Sequence, residues 1–391
     1  MLVRQTIEQQ RQQFPGLALK FYFNFGGQGP LPQPALEAIA RAYEFLQQEG
    51  PFSLRANLWV EQQTELLRTA IAEELGAAPA NITLTENVTA GCNIALWGIN
   101  WQAGDRILLS DCEHQGVIAA VQEISRRFGV EVATCQLQET LNQSDPTTTI
   151  ADHLTSNTRL LVISHLLWNT GQVLPLSEIV KICHDRPEPV SVLVDGAQSV
   201  GSLPLNLTEL QADYYAFTGH KWLCGPAGVG GLYISAAAFA NLQPTFIGWR
   251  GINSDSQGQP SGWKPDGRRF EVATAAFPQY EGLRAAIAFH RQWGTSEERY
   301  RQICYLSQLL WQRLGQLDRI ICLKQSPPEA GLVSFQVTGK IPHNKLVSEL
   351  ESQKFFLRTL AFPDCIRACT HYFTLPSEIE QLAAVIEQLL T

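Results

Sequence analysis

Short, almost uninterrupted runs of valine, isoleucine and leucine alternate with helix-patterned segments between about residues 35 and 320 of this 391-residue chain. The runs include DRILLSDCEH, RLLVISHLL, VSVLVDGAQ and GVGGLYIS. Strands that are apolar on both faces are typical of a parallel sheet covered by helices on both sides. The alternation therefore predicts a doubly wound α/β domain, in which ligands bind beyond the carboxyl ends of the strands.

The length of the chain and a change in its pattern predict two domains. A chain of 391 residues exceeds what one hydrophobic core usually supports. After about residue 280, long helices lead into shorter strands. We predict a large domain over 21–280, a smaller α+β domain over 281–391, and an N-terminal arm, 1–20, associated with the smaller domain. The last helix is expected to begin at Ser377.

Charge and cysteine usage exclude several kinds of protein. The net charge is −8 and no basic tract stands out, which argues against nucleic acid as a partner. No apolar run reaches membrane-spanning or secretory-signal length, so we expect a cytoplasmic protein. The nine cysteines contain no CxxC pair, which predicts neither a disulfide framework nor a metal site. Cys365 and Cys369 are predicted to be the most accessible thiols.

Four polar groups stand at predicted strand ends or helix starts. Asp195 follows VSVLV directly, Lys221 follows the apolar run AFTGH, and His114 follows DRILLSDCE. Residues 87–89, Asn-Val-Thr, precede a helical pattern and could bind an anion. Each of these four groups also has an ordinary structural interpretation. The carboxylate and the Asn-Val-Thr stretch could cap helices, the lysine could extend into solvent, and the histidine could be structural.

Taken together, these groups fit pyridoxal 5'-phosphate (PLP). This cofactor needs a lysine for covalent attachment, a carboxylate against its pyridine nitrogen and a cradle for its phosphate. We predict these roles for Lys221, for Asp195 and for Val88 with Thr89. Further contacts are predicted from Thr218, His220 and His114.

The pairing of DGAQS with TGHKWLCGPAGVG resembles the class V aminotransferase family, which includes cysteine desulfurases and related lyases. The order of motifs is similar over most of the chain, from NFGGQGPLP to the final helix. The resemblance implies a PLP-dependent transferase fold of the aspartate aminotransferase type. It also implies a homodimer with shared active sites.

The resemblance further implies roles for individual residues. His114 stacks on the cofactor ring, Asp195 binds the pyridinium and Gln198 bonds the ring hydroxyl. It implies that Thr218 and His220 bind the phosphate within one subunit, and that Thr274 of RFEVAT binds the phosphate of the partner subunit. It also implies that Arg367 of RACTHY binds the α-carboxylate of the substrate.

The sequence departs from the family pattern at three places. Trp168 stands where the family has an asparagine, and we assign that role to the next residue, Asn169. Gly26 and Gly27 stand where small residues such as Asn-Ala are common in the family, and the extra room predicts a larger substrate. The loop that bears the attacking cysteine of similar desulfurases is missing, and Cys365 lies beside Arg367 instead.

Without a mobile thiol, we predict a β-elimination C–S lyase. L-cystine or L-cysteine would yield pyruvate, ammonia and cysteine persulfide or sulfide, supplying sulfur to an iron–sulfur scaffold or apoprotein acceptor. Trp249 and Arg250 are candidates for binding a second amino-acid moiety. Three alternatives stay open at this point: a desulfurase that releases alanine and uses Cys365, an epimerase or other non-sulfur enzyme, and an inactive scaffold.

Overall fold

A seven-stranded sheet forms the centre of the molecule in the computed structural model, which describes residues 6–391. In spatial order its strands are β2 (Ile82–Thr85), β8 (Gly230–Ile234), β7 (Tyr214–Thr218), β6 (Ser191–Asp195), β5 (Thr158–Ser164), β3 (Arg106–Ser110) and β4 (Glu131–Cys135). All neighbouring strands are parallel except β8, which is antiparallel to both β2 and β7. The predicted doubly wound, mostly parallel sheet is confirmed, and GVGGLYIS is its one reversed strand.

Helices cover both faces of this sheet, because successive strand residues point to opposite sides. In β6, Val192 and Val194 enter one core and Leu193 enters the other. The first core is completed by α3 (Leu54–Leu75), α6 (Pro146–His153), α7 (Leu176–His184), α8 (Leu207–Leu210) and α10 (Phe277–Trp293). The second core is completed by α4 (Val88–Gly98), α5 (Gln115–Phe128) and α9 (Ala236–Phe239). The helix α2 (Gln33–Glu49) packs on α10.

A separate four-stranded antiparallel sheet lies in the C-terminal part of the chain. Its strands are β11 (Ile320–Cys322), β12 (Leu332–Val337), β15 (Asp364–Cys369) and β14 (Arg358–Ala361). It shares a third core with α11 (Ser296–Gly315), α12 (His343–Ser352) and α13 (Pro376–Leu390). The remaining α-helix and strands of residues 6–391 are α1 (Ile7–Gln12), the parallel pair β1 (Phe21–Tyr22) and β13 (Phe355–Phe356), and the hairpin β9 (Ile252–Ser254) and β10 (Pro260–Trp263). The domain boundaries given above stay a prediction.

The N-terminal helix is tied to the C-terminal helix by an ion pair. Arg11 donates to the Glu378 carboxylate at 2.5 Å, and both side chains are largely buried. The N-terminal arm over 1–20 stays a prediction.

Two local expectations were wrong. The last helix begins at Pro376 rather than Ser377, because proline's restricted φ suits the first helical position. Cys365 and Cys369 are both fully buried, and Cys369 packs in an apolar cluster with Phe25 and Trp222. Charged sequence neighbours therefore do not make these thiols accessible.

No helix among residues 6–391 is long and apolar enough to cross a membrane.

Candidate active site

A cavity of about 170 Å³ lies at the carboxyl ends of the parallel strands. Ser164 ends β5 and Asp195 ends β6, the two residues are register partners, and both line the cavity. Gln198 follows in the next turn, and Lys221 lies three residues beyond the end of β7. The strand-end placement predicted from the sequence brings these side chains together.

Asp195 is a buried carboxylate that faces this cavity. Its Oδ1 atom accepts a hydrogen bond from the backbone N–H of Ala197 at 2.9 Å. Burial raises its pKa, while the positive charge of Lys221 opposes that rise. The helix-cap alternative is wrong, because a turn and not a helix follows Asp195; the Ala197 N–H belongs to that turn, and the Asp195 side chain lines the site.

Lys221 is partly buried and lines the cavity instead of extending into solvent. No carboxylate of residues 6–391 lies within ion-pair distance of its amine. Burial lowers its pKa to about 8, an effect that Asp195 opposes and the Arg367 guanidinium strengthens. An amine with this pKa is unprotonated in a useful fraction of molecules near neutral pH, as a nucleophile or base requires.

Glycine packing holds the backbone turn that presents this lysine. The N–H of Cys224 donates to the Lys221 carbonyl at 3.0 Å, and the N–H of Gly29 donates to the His220 carbonyl at 2.8 Å. A Cβ atom added at Gly29 would lie 2.2 Å from the Lys221 carbonyl oxygen. Only glycine can approach the turn this closely.

The starts of two helices form another wall of the cavity. Val88 and Thr89 open α4 and His114 is the N-cap of α5; all three line the cavity. The Nδ1 atom of His114 accepts from the Gly116 N–H at 3.1 Å. Burial, and then the charge of Lys221, lower the pKa of His114. Exposed N–H groups at the α4 start suit a phosphate.

Arg367 is a buried cation. Its Nη1 atom donates to the Trp168 carbonyl at 2.9 Å, and its Nε atom has no hydrogen-bond partner in the described part of the chain. No carboxylate of residues 6–391 pairs with it, and burial lowers its pKa. A Cβ atom at Gly26 would lie 2.9 Å from its Cζ atom, so glycine here leaves room for the guanidinium. The arrangement suits an anionic ligand.

Arg358 was missed in the sequence. It lines the same cavity and is the register partner of Arg367 across the β14–β15 hairpin. Only Phe362 and Pro363 separate the two strands, and that hairpin pattern was the available signal.

Glu113 was also missed. This buried carboxyl accepts from Ser110 Oγ at 2.5 Å, and from the Ser164 N–H at 2.9 Å and hydroxyl at 2.8 Å. Burial, together with the charge of Asp195, raises its pKa to about 8. Its position before His114 in the sequence did not show that it would be buried.

Three predicted residues lie beside the cavity without lining it. Thr218 Oγ1 and His220 Nδ1 are 2.6 Å apart and bond to each other. Asn169 is buried; its Nδ2 atom is 3.5 Å from the Phe362 carbonyl and its Oδ1 atom has no partner. Its neighbour Trp168 lines the cavity instead.

The remaining predicted residues lie at a different place. Thr274 and Arg250 line a second cavity of about 770 Å³. Trp249 is 61% exposed, and the Arg250 guanidinium lies 5.5 Å from the centre of its ring. Within one chain the structure does not bring these three residues to Lys221, so their roles stay predictions.

A buried cluster of potential metal ligands lies behind the lysine turn. Ligand atoms of Cys224, His290 and His371 lie within 4.8 Å of one another. All four ring nitrogens of the two histidines already make hydrogen bonds. Those of His290 contact the Leu223 carbonyl and the Tyr372 hydroxyl, and those of His371 contact the Trp222 carbonyl and the Tyr372 N–H. The cluster is therefore better explained by hydrogen bonds than by a metal ion.

The chain is similar to several known proteins. The family model described as aminotransferase class-V matches residues 22–375. A structure of the cystine C–S lyase C-DES with its reaction product cysteine persulfide is 55% identical, covers 96% of this chain and 99% of that chain, and has a TM-score of 0.95. A lysine-to-alanine mutant of C-DES, with glycine covalently linked to its PLP cofactor, is 54% identical over 96% of this chain and 98% of that chain, also with a TM-score of 0.95.

Curated relatives are more distant and carry different names. Isopenicillin N epimerase of Streptomyces clavuligerus is 29% identical over 94% of each chain. The cysteine desulfurase of Shigella sonnei is 28% identical over 95% of this chain and 92% of its own. The match to the family model extends over most of the chain and includes every cavity-lining residue named above. This chain belongs to the class V aminotransferase family.

Proposed function

We propose that this protein is a PLP-dependent C–S lyase that acts on L-cystine or L-cysteine by β-elimination. With cystine, one water is consumed and the products are pyruvate, ammonia and cysteine persulfide; with cysteine, sulfide replaces the persulfide. The Cβ–S bond breaks, its electron pair leaves with sulfur, and no external oxidant is needed. Support comes from the similarity to C-DES, whose name and product match this reaction.

The cavity residues fit PLP. Lys221 would attach the cofactor, Asp195 would face its ring nitrogen, Gln198 its ring hydroxyl, and Val88 and Thr89 its phosphate. When bound, PLP supplies an aldehyde for covalent attachment and an electron sink for the substrate Cα. The Lys221 amine, with its pKa near 8, can then accept the Cα proton.

Two arginines favour cystine as the substrate. Arg367 is buried with an unpartnered Nε atom, and Arg358 lines the same cavity. Cystine has two α-carboxylates, and each can be bound by a guanidinium group. A disulfide sulfur is also a good leaving group, because a persulfide anion is more stable than a simple thiolate.

The absence of a thiol from the cavity is the observation that most favours a lyase over a desulfurase. All nine cysteines lie within residues 6–391, and none lines the Lys221 cavity. Cys365 is fully buried in β15, and burial raises its pKa to about 12. A desulfurase nucleophile must reach the substrate as a thiolate. Cystine releases a persulfide without any thiol of the protein.

The same proposal includes a cytoplasmic homodimer that supplies sulfur to an iron–sulfur scaffold or apoprotein. Thr274 is exposed and remote from Lys221, as expected of a residue that contacts the phosphate of a partner subunit. Mixing inactive Lys221→Ala and Thr274→Ala subunits should restore activity if the sites are shared. No recovery after subunit exchange would argue against shared sites.

A product assay on cystine tests the reaction itself. We expect pyruvate and persulfide in equal amounts, with loss of both in Lys221→Ala. Cys365→Ser should retain both products. Alanine in place of pyruvate, together with loss of sulfur release in Cys365→Ser, would instead establish the desulfurase.

A further inference from the structure

The indole of Trp222 determines which way the amide of Gln198 faces. Trp222 follows Lys221 in the chain and is fully buried. Its Nε1 atom lies 2.9 Å from Gln198 Oε1. An indole N–H can only donate a hydrogen bond, so the atom it meets must be the amide oxygen. This contact rules out the flipped amide, which would place two donors against each other.

The other end of the amide is then a donor toward the cavity. Gln198 Nε2 donates one hydrogen to the Gly26 carbonyl at 2.9 Å. The second hydrogen on Nε2 has no acceptor among residues 6–391, and Gln198 lines the cavity with Lys221 and Asp195. The site therefore offers an N–H group to a ligand oxygen.

Trp222 is itself held in place. His371 Nε2 donates to its backbone carbonyl at 2.9 Å, and the two rings stack at 5.9 Å with an interplanar angle of 25°. A Cβ atom at Gly331 would lie 2.6 Å from Trp222 Cη2, so the ring also fills its space closely. A rigid indole can fix the orientation of its partner.

We propose that Trp222 is a positioning residue: its indole N–H orients the Gln198 amide so that Nε2 donates to an acceptor oxygen of the bound cofactor. The inference rests on the proposed function only for the identity of that ligand, the ring oxygen of PLP. A donor at this position stabilises the ionised oxygen. A flipped amide would place its own oxygen there and repel it.

A double-mutant cycle on PLP binding tests this role. Wild type, Trp222→Phe, Gln198→Leu and the double variant are freed of cofactor and titrated with PLP. Trp222→Phe keeps an aromatic ring, removes the N–H donor and shortens the buried side chain, so it is compared with the same substitution at a second buried tryptophan. We expect it to weaken PLP binding about tenfold, and to reduce the visible absorption of bound PLP at a fixed pH. Because Trp222 acts through the amide, the double variant should bind PLP no more weakly than Gln198→Leu alone.

Trp101→Phe is the matched control. Its indole is also buried and donates to the Leu96 carbonyl at 2.7 Å, but Leu96, unlike Gln198, does not line the Lys221 cavity. We expect PLP binding and the absorption spectrum to be unchanged in this variant.

Three results would overturn the inference. The first is a Trp222→Phe variant that binds PLP as tightly as wild type. The second is a double variant in which the losses of PLP affinity from Trp222→Phe and Gln198→Leu add. The third is a loss of PLP affinity in Trp101→Phe as large as that in Trp222→Phe. If Trp222→Phe does not fold, Gln198→Asn supplies the test, because its shorter amide cannot reach both the indole and the Gly26 carbonyl. It should show the same loss, and wild-type binding would refute the proposal. Failure of the wild type to bind PLP is a distinct result that overturns the proposed function as well.

Discussion

The carboxyl group of Glu113 allows a direct test of how burial controls ionisation beside the cavity. It is buried, and no cation of residues 6–391 lies within ion-pair distance. Its pKa is raised from 4.5 to about 8, by burial first and then by the charge of Asp195. Above about pH 4.5, the folded protein therefore keeps a proton here that the unfolded chain has lost.

Raising the pH through this window lowers the free energy of unfolding, because the folded state holds the extra proton. Each pH unit between the two pKa values contributes about 1.4 kcal/mol, and the whole window contributes about 5 kcal/mol. Glu113→Gln keeps the shape of the neutral carboxyl and can still bond to Ser110 and Ser164. Between about pH 5.5 and about pH 7.5, we expect this variant to gain about 2–3 kcal/mol relative to wild type.

Urea unfolding followed by far-ultraviolet circular dichroism at the two pH values measures this gain. Glu123→Gln is the control, because hydrogen bonds from Arg126 and Arg127 lower the pKa of Glu123 to about 2. That exposed carboxylate is ionised in both states across the window, so its variant should differ from wild type by the same amount at both pH values. A constant difference for Glu113→Gln would refute the reasoning about burial.

Three further changes test other contacts. Arg68→Met leaves the buried Glu271 carboxylate without its bidentate partner, and we expect the free energy of unfolding to fall by about 3–5 kcal/mol in urea titrations. Gly26→Ala places a Cβ atom 2.9 Å from the Arg367 Cζ atom, and should raise KM for cystine about tenfold, measured by pyruvate release. The Lys221 amine, with a pKa of about 8, should attach added PLP at a rate that rises with pH and is half-maximal near pH 8, followed by visible absorbance.

Each of these changes has a control or a contrary result. Arg41→Met removes an exposed ion pair with Glu37 and should leave the free energy of unfolding nearly unchanged. Gly315→Ala meets nothing within 4 Å and should leave KM unchanged. A half-maximal rate near pH 10, the usual range for an exposed lysine, would contradict the burial effect at Lys221.

Much of the site could be predicted because it follows from local sequence. Apolar strands end at Asp195 and just before Lys221, and the carboxyl ends of parallel strands meet at one edge of a sheet. His114 and Thr89 belong to helix starts that meet the same edge. Position along the chain was enough to predict that these side chains line one cavity.

Which further residues line the cavity, and which are buried, depends on contacts between distant segments. A local sequence pattern cannot predict such contacts. Arg358 reaches the site because β14 pairs with β15, and Cys365 is fully buried although the charged Asp364 precedes it. Trp168, and not Asn169, lines the cavity, and its indole N–H donates to the Cys112 carbonyl at 2.9 Å.

The sequence by itself determined the order of strands and helices and the residue types available for chemistry, because hydrophobic periodicity and turn residues act over a few positions. Only the tertiary structure decided the electrostatics of the site. The lowered pKa of Lys221, the raised pKa of Glu113 and the unpaired charge of Arg367 all arise when distant segments exclude water. Desolvation is a property of the packed molecule, so residue identity alone cannot specify it.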